Sequence, residues 1–451
     1  MAPGSRRSPG LSDPAPRATA MLQTPALLGA LLVPTSGQEV APEPAREERI
    51  AWLSEHAAEI LAPGEWVTTE DDFADLQPLA DAVDGKRIVT LGEASHSDGS
   101  AFELKARVAR FLHERCGYDV LVFEAGLYEC DRAWREAIDG ASLVERGRAA
   151  LQPIWERSRT VQELLRYMQA SVETERPLVF AGMDMMPTGL ILAEAGEDLM
   201  RAAREAAVDE SLAAAGQRLI ETLPMGLGRL LAAPAAEREE SCRVLLELAA
   251  ALRDGRRVPE RARFMAQFLE SLVACIEMLS AADMSDPEGS PELNRRDEQM
   301  AKNLVFLARE VFPDKKLLVW GATSHLSRRR DGLQVYTAPY MVPIGEHLTS
   351  LLPDSTYHLA VTSFEGKIGS ATGSPEMEIP AAPAGSLEEL WAATGVAAGF
   401  LDLRSLQPGT SWVQGPISVR AMGHGDVTGR WSESVDGILF TRDLLPAAPG
   451  E

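Results

Sequence analysis

The stretch that most constrains this chain is Arg87-Ile-Val-Thr-Leu-Gly-Glu-Ala-Ser-His96. Residues 88–91 are apolar and β-branched and read as a buried strand. Gly92 reads as its end, which puts Glu93 and His96 in the tight turn before the next helix. In open α/β sheets the crevice beyond the strand carboxyl ends is where ligands bind. A carboxylate and an imidazole brought there by one turn point to general acid/base chemistry.

The pattern around this strand makes it the start of a βαβ unit. Residues 100–115 place Phe102, Leu104, Val108, Phe111 and Leu112 at helical spacing, and Gly117 follows as a C-terminal cap. Residues 118–123 are a second apolar strand, ending in Glu124. Such a unit is parallel with a right-handed crossover. Residues 47–61 and 71–83 read as helices before it. Residues 129–138, 143–151 and 161–172 read as helices after it, and 178–182 is a third strand, ending at Asp184. From 190 to 282 Ala, Leu, Glu and Arg dominate and the strand pattern disappears, which predicts an inserted helical bundle broken near Pro224 and Pro259. Residues 294–311 are helical, and 317–320 form a fourth strand that leads into Gly321-Ala-Thr-Ser-His325. Residues 335–338, 357–364, 399–403 and 437–441 read as later strands. The expected fold class is α/β with a mostly parallel sheet. The expected division is a leader and linker over 1–45, a first part of the core over 46–188, the helical insertion over 189–290 and the rest of the core over 291–451.

Charge narrows the partners. Sixty-seven acidic residues against 44 basic ones give a net charge of -23, which repels phosphate backbones and suits anionic membranes poorly. No nucleic acid and no membrane span are expected; the partner is a small molecule. The four cysteines (116, 130, 242 and 275) have no zinc-like spacing and read as buried thiols, with a Cys116–Cys130 disulfide as the alternative. The apolar run 26–33 is too short to span a membrane. It reads as a weak export signal, and otherwise as the leader of a cytoplasmic protein.

Counting the strand ends carries the argument further. The first strand ends with Glu93 and His96, the second with Glu124, the third with Asp184 and the fourth with His325. Parallel strands bring all five to one sheet edge. Asp184 has a plain alternative as a helix cap. Glu124 sits so close to an apolar strand that it needs a charged partner. His56 and His113 read as surface residues. No Gly-x-Ser-x-Gly elbow, Walker loop, dinucleotide fingerprint or His-Glu-x-x-His is present at a strand end. Glu93, His96, Glu124 and His325 suit either water activation without a cofactor or, alternatively, ligation of a divalent metal.

These residues resemble the erythromycin esterase family. Gly92-Glu-Ala-Ser-His96, Phe102-x-x-Lys105, Val122-Phe-Glu124-Ala, Gly182-Met-Asp184, Arg296-Asp-x-x-Met300-Ala-x-Asn303 and Val319-Trp320…His325 fall in the family's order, over roughly residues 45–445. The resemblance implies a three-layer α/β/α core with a helical insertion, and hydrolysis of a lactone ring as in the macrolide esterases. It implies that His96 activates water, helped by Glu93 and Glu124. Lys105 stands where the macrolide esterases have arginine, so it can neutralise a carboxylate but not grip it with a fork. Ala322 replaces the first histidine of the second motif, and His325 keeps the second. Ser97-Asp98-Gly99-Ser100-Ala101 departs from the macrolide esterases and is similar to a branch carrying Ser-His-x-Asp-Gly. The expected activity is therefore an ester or lactone hydrolase. His96 would be its base, Glu93 and Glu124 would orient it, and Lys105 and His325 would balance charge or stabilise an oxyanion. Trp155 would shape the pocket and Asp184 would stand behind it. The alternatives are a metal-dependent hydrolase with the same residues, or a non-catalytic binding protein on a decayed esterase fold.

Overall fold

The apolar runs of the sequence form the middle of one nine-stranded sheet. In chain order the strands are β1 (Ala58–Glu59), β2 (Ile88–Glu93), β3 (Tyr118–Gly126), β4 (Val179–Asp184), β5 (Lys316–Ala322), β6 (Thr356–Ile368), β7 (Met377–Ile379), β8 (Ala398–Asp402), β9 (Ile417–Val419), β10 (Val427–Gly429) and β11 (Gly437–Leu444). The spatial order is β1-β8-β11-β6-β2-β5-β3-β4, with β7 beside β6, while β9 and β10 make a separate antiparallel pair. Every pairing from β11 across to β4 is parallel; β8, β1 and β7 join antiparallel. The fold is thus α/β with a mostly parallel sheet. This computed structural model describes residues 44–64, 71–187, 190–222, 231–255, 258–283, 290–335, 341–373, 375–406 and 411–450. The residues from Pro44 onward form one compact unit. The apolar run at 26–33, the break at Pro224 and most of the expected strand at 335–338 lie outside the described residues.

Strands covered on both faces must be apolar on both faces. All six residues of β2 and of β4 are buried, as are eight of nine in β3. The helix after β2 runs Gly99–Cys116. Asp98 caps it by accepting the Ala101 amide at 2.8 Å, and Gly117 ends it at φ 77°, the left-handed turn a C-cap glycine provides.

Several expectations change. Gly92 does not end the first strand, which continues to Glu93. A Cβ at Gly92 would lie 2.6 Å from Thr323 Oγ1, so glycine is there for close approach rather than for a turn. The first helix stops at His56, because Ala57 turns extended and Ala58–Glu59 pair with Phe400 and Gly399. All four cysteines are free thiols, three of them buried, and no Cys116–Cys130 bond exists. Between β4 and β5 the described residues hold helices and no strand, among them Ala195–Glu205, Glu210–Thr222, Ala235–Arg253 and Glu260–Ala281. The last of these is long and apolar enough to cross a membrane, yet 72% of its most apolar window is buried inside the protein. It behaves as a core helix, and Gln267 on it donates to Asn303 Oδ1 at 2.9 Å.

Candidate active site

Four neighbouring strands, β2-β5-β3-β4, deliver the site residues along one edge. The pairing register sets Glu93 beside Ala322, Gly92 beside Gly321, and Phe123 beside both Trp320 and Gly182. Glycines at these three strand ends make room for what converges above them. A Cβ at Gly321 would meet Glu124 Oε2 at 2.8 Å. Glu124 itself lies in an irregular step: between Phe123 and Gly126, β3 spends one residue more than β4 does between Gly182 and Asp184. Such a bulge re-aims a side chain without ending the strand.

The first cluster surrounds Glu93, which is fully buried. Its Oε1 meets His96 Nδ1 at 3.0 Å, and its Oε2 accepts from Lys105 Nζ. Lys105 is also fully buried and lies 4.1 Å from the centre of the Trp320 ring. The carboxylate and the ammonium are each tolerable there only because the other is present. The face of the Trp320 ring adds a cation–π contact to the Lys105 ammonium. His96 keeps 34% of its side chain exposed and sets its ring edge-on to Trp155 at 5.1 Å. Burial pulls the imidazole below its ordinary 6.5, Glu124 pulling it back up and Arg296 pushing it down. With Nδ1 occupied by Glu93, the neutral ring presents Nε2.

The second cluster is an ion network at the ends of β3, β4 and β5. Arg296, from the first turn of the helix Asn294–Phe306, donates to Glu124 Oε1 at 2.9 Å and to Asp184 Oδ2 at 2.7 Å. Asp184 also accepts the Met186 amide at 3.0 Å, so it anchors the arginine and shapes the turn after β4. His325 Nδ1 meets Asp297 Oδ1 at 2.7 Å, and its Nε2 lies 3.5 Å from Glu124 Oε1. Burial lowers the His325 pKa, but Asp297 and Glu124 outweigh it and the net shift is upward. Burial likewise pushes the Glu124 carboxyl up. The charges of His325, Arg296 and His96 and the Ala322 amide, at 3.1 Å from Oε2, hold it down at about 2. The two histidines are therefore driven apart, His96 toward the free base and His325 toward the cation. Opposed shifts of this kind mark acid/base pairs.

The turn between β2 and its helix is clamped by distant segments. Gly423 N donates to Ala94 O at 2.8 Å, Gly369 N to Ser97 O at 3.0 Å and Gly99 N to Leu445 O at 2.8 Å. Ser100 Oγ donates to Asp443 O at 2.9 Å and accepts from Leu445 N at 2.9 Å. A Cβ at Gly99 would run into the Pro446 carbonyl. The Asp98-Gly99-Ser100 sequence is thereby explained as a cap, a close approach and a hydroxyl latch for residues 443–447.

The site thus joins Glu93, His96, Glu124, Asp184 and His325 on one edge, with Lys105 and Trp155 against Glu93 and His96. Trp155 is buried to the last atom and serves as wall rather than open contact surface. Sequence reasoning gave no site role to Arg296 or Asp297. One signal was available: an arginine in the first turn of a helix opposes the macrodipole and needs a reason. His113, expected at the surface, is buried between Tyr167 Oη at 2.6 Å and the Arg176 carbonyl at 2.9 Å. Among the described residues no three His, Cys, Asp or Glu side chains are grouped to hold a metal ion. The oxygens of Glu93 and Glu124 already face Lys105, His96, Arg296 and the Ala322 amide.

The erythromycin esterase family profile matches residues 113–444, more than half of the chain. The chain belongs to the erythromycin esterase family. The matched span carries Glu124, Asp184, Arg296 and His325, and the His96 turn precedes it. A Bacillus subtilis (strain 168) relative, the putative hydrolase YbfO, is 23% identical over 436 residues, covering 88% of this chain and 91% of its own. Among solved structures, a Bacillus cereus protein superposes with a TM-score of 0.74 at 16% identity, over 90% of this chain and 100% of its own. A mutant of the erythromycin esterase EreC in its open conformation gives 0.61 at 19% identity, over 83% of this chain and 95% of its own. At these identities the superpositions establish the fold.

Proposed function

We propose that this chain is a hydrolase that cleaves a carboxylic ester or lactone with water activated by His96. The observation that carries the reading is the state of His96. It is more exposed than Arg296 or His325 in the same network, its Nδ1 is fixed by Glu93 at 3.0 Å, and burial favours its free base. Its Nε2 takes a proton from water, and the resulting hydroxide attacks the ester carbonyl. Glu93 holds the ring and stabilises the imidazolium as it forms, while Lys105 Nζ donates to Glu93 Oε2 rather than touching substrate. His325, held charged by Asp297 and Glu124, donates from Nε2 to the developing oxyanion or to the leaving alkoxide. Glu124 and Asp184 fix Arg296, and Glu124 Oε1 in turn faces His325 Nε2 at 3.5 Å. The Ala322 position, histidine in the macrolide esterases, here supplies its amide to Glu124. No step in this scheme needs a metal.

The test is a panel of lactones, macrolides and p-nitrophenyl acyl esters, run with and without chelator. Turnover that survives chelation and disappears in His96→Ala, with the melting temperature unchanged, is the expected result. Esterase activity persisting in His96→Ala would remove the assignment. Chelator-sensitive activity together with bound metal in elemental analysis would replace it by the metal-dependent version.

A further inference from the structure

Asp98 caps its helix with one oxygen only. Its Oδ2 is buried and has no hydrogen-bond partner. That oxygen faces His424 Nε2 at 3.6 Å, and both side chains are out of solvent. Neither ring nitrogen of His424 has a hydrogen-bond partner. A buried polar atom left unmade costs about 1–3 kcal/mol, so two that face each other call for a purpose. His424 also holds φ at 55°, a left-handed backbone that a non-glycine residue adopts under strain. It belongs to the loop whose Gly423 amide donates to Ala94 O. Ala94 lies two residues before His96 and Asp98 two residues after it. The loop therefore reaches the turn on both sides of His96, by backbone on one side and by side chain on the other.

We infer that the Asp98–His424 pair is a positioning device that sets where the His96 imidazole stands. His424 acts through Asp98 and does not touch substrate. The pair tightens or slackens the turn between two fixed points, and the 3.0 Å contact of His96 with Glu93 depends on that turn. Its effect on turnover rests on the proposed hydrolase reading; its effect on the His96 ring does not.

The backbone conformation suggests the variants. His424→Gly accommodates the left-handed turn and deletes the imidazole. His424→Gln deletes the ring but keeps an amide donor at the reach of the Nε2 that faces Asp98. Kinetics on p-nitrophenyl acetate give kcat and KM, and 15N-histidine NMR gives the tautomer of His96, assigned by its loss in His96→Ala. In His424→Gly kcat falls about tenfold or more with KM within about twofold, since a misplaced reacting group costs turnover rather than binding. The Nδ1–H tautomer of His96 loses population in the same variant, and His424→Gln restores both. Wild-type kcat and an unchanged His96 tautomer in His424→Gly would overturn the inference, as would a glutamine variant no better than the glycine one. If the wild-type protein hydrolyses no member of the panel, the hydrolase reading fails, and the tautomer comparison alone decides for or against the pair.

Discussion

Individual residues at this site are held by charges that cannot be removed singly. Lys105 and Glu93 are both without solvent, so Lys105→Met leaves the Glu93 carboxylate buried with only the His96 imidazole against it. Breaking such a pair costs about 3–5 kcal/mol, to be read from the urea midpoint at constant slope. A variant as stable as wild type would mean that Glu93 is hydrated in the folded protein. On the proposed mechanism the paired histidines predict the pH dependence of turnover. The base limb of kcat/KM belongs to His96 and has its midpoint below the ordinary 6.5, so activity rises as pH climbs through that value. The acid limb belongs to His325, whose pKa is raised above 6.5, so activity falls again on the alkaline side. His325→Gln should lower kcat and abolish the alkaline limb; a profile with both limbs intact in that variant would reassign the acid.

At the scale of elements, the site is built by close approaches that only small residues permit. Gly99 admits the Pro446–Ala447 backbone against the turn that carries His96. Gly99→Ala should therefore displace the C-terminal segment, costing about 1–3 kcal/mol in overpacking and reducing kcat along with it. Gly332→Ala is the matched control: its added Cβ has nothing nearer than Glu433 Oε2 at 3.6 Å, and stability should stay within about 0.5 kcal/mol. Equal effects in the two variants would mean that the clamp does not explain the first. The bulge in β3 is a second such device. It aims Glu124 at the Ala322 amide and at Arg296, two partners contributed by elements almost two hundred residues farther along the chain.

At the scale of the whole molecule, buried imidazoles make stability depend on pH. Burial holds His358 down at about 4, while its Nδ1 donates to Leu326 O at 2.7 Å and so anchors the short helix bearing His325. A base with a depressed folded pKa leaves the unfolded chain binding more protons between about 4 and its ordinary 6.5. Its contribution to stability is complete above 6.5 and is lost as pH falls toward 4. Asp98, pushed up to about 7 by burial, pulls the other way over the same range, and His424, held down at about 4 by burial, pulls with His358. The readable quantity is therefore a difference. Wild type should lose stability relative to His358→Gln as the pH is lowered from 6.5 to 4 in urea titrations. Parallel curves for the two proteins would show that His358 is protonated in the fold.

How much of this was legible in the chain follows from the range of the forces involved. Apolar runs and helical spacing are local, so the sequence alone determined the parallel strands, a helix over 100–115 with its Gly117 cap, and the convergence of Glu93, His96, Glu124, Asp184 and His325 on strand ends; the Asp98 cap came only with the structure. Gly92 was misread because a glycine kept for close approach and a glycine kept for a turn look the same until the neighbouring Thr323 is in place. His113 was misread for the same reason: its partners are Tyr167 and Arg176, far along the chain. Only the tertiary structure decided which carboxylate each cation neutralises, Lys105 taking Glu93 and Arg296 taking Glu124 with Asp184. It alone brought Asp297 to His325, opposed the two histidines, and closed residues 423–447 over the turn that holds His96. Those pairings are electrostatic and steric contacts between segments distant in sequence, and no local pattern encodes them.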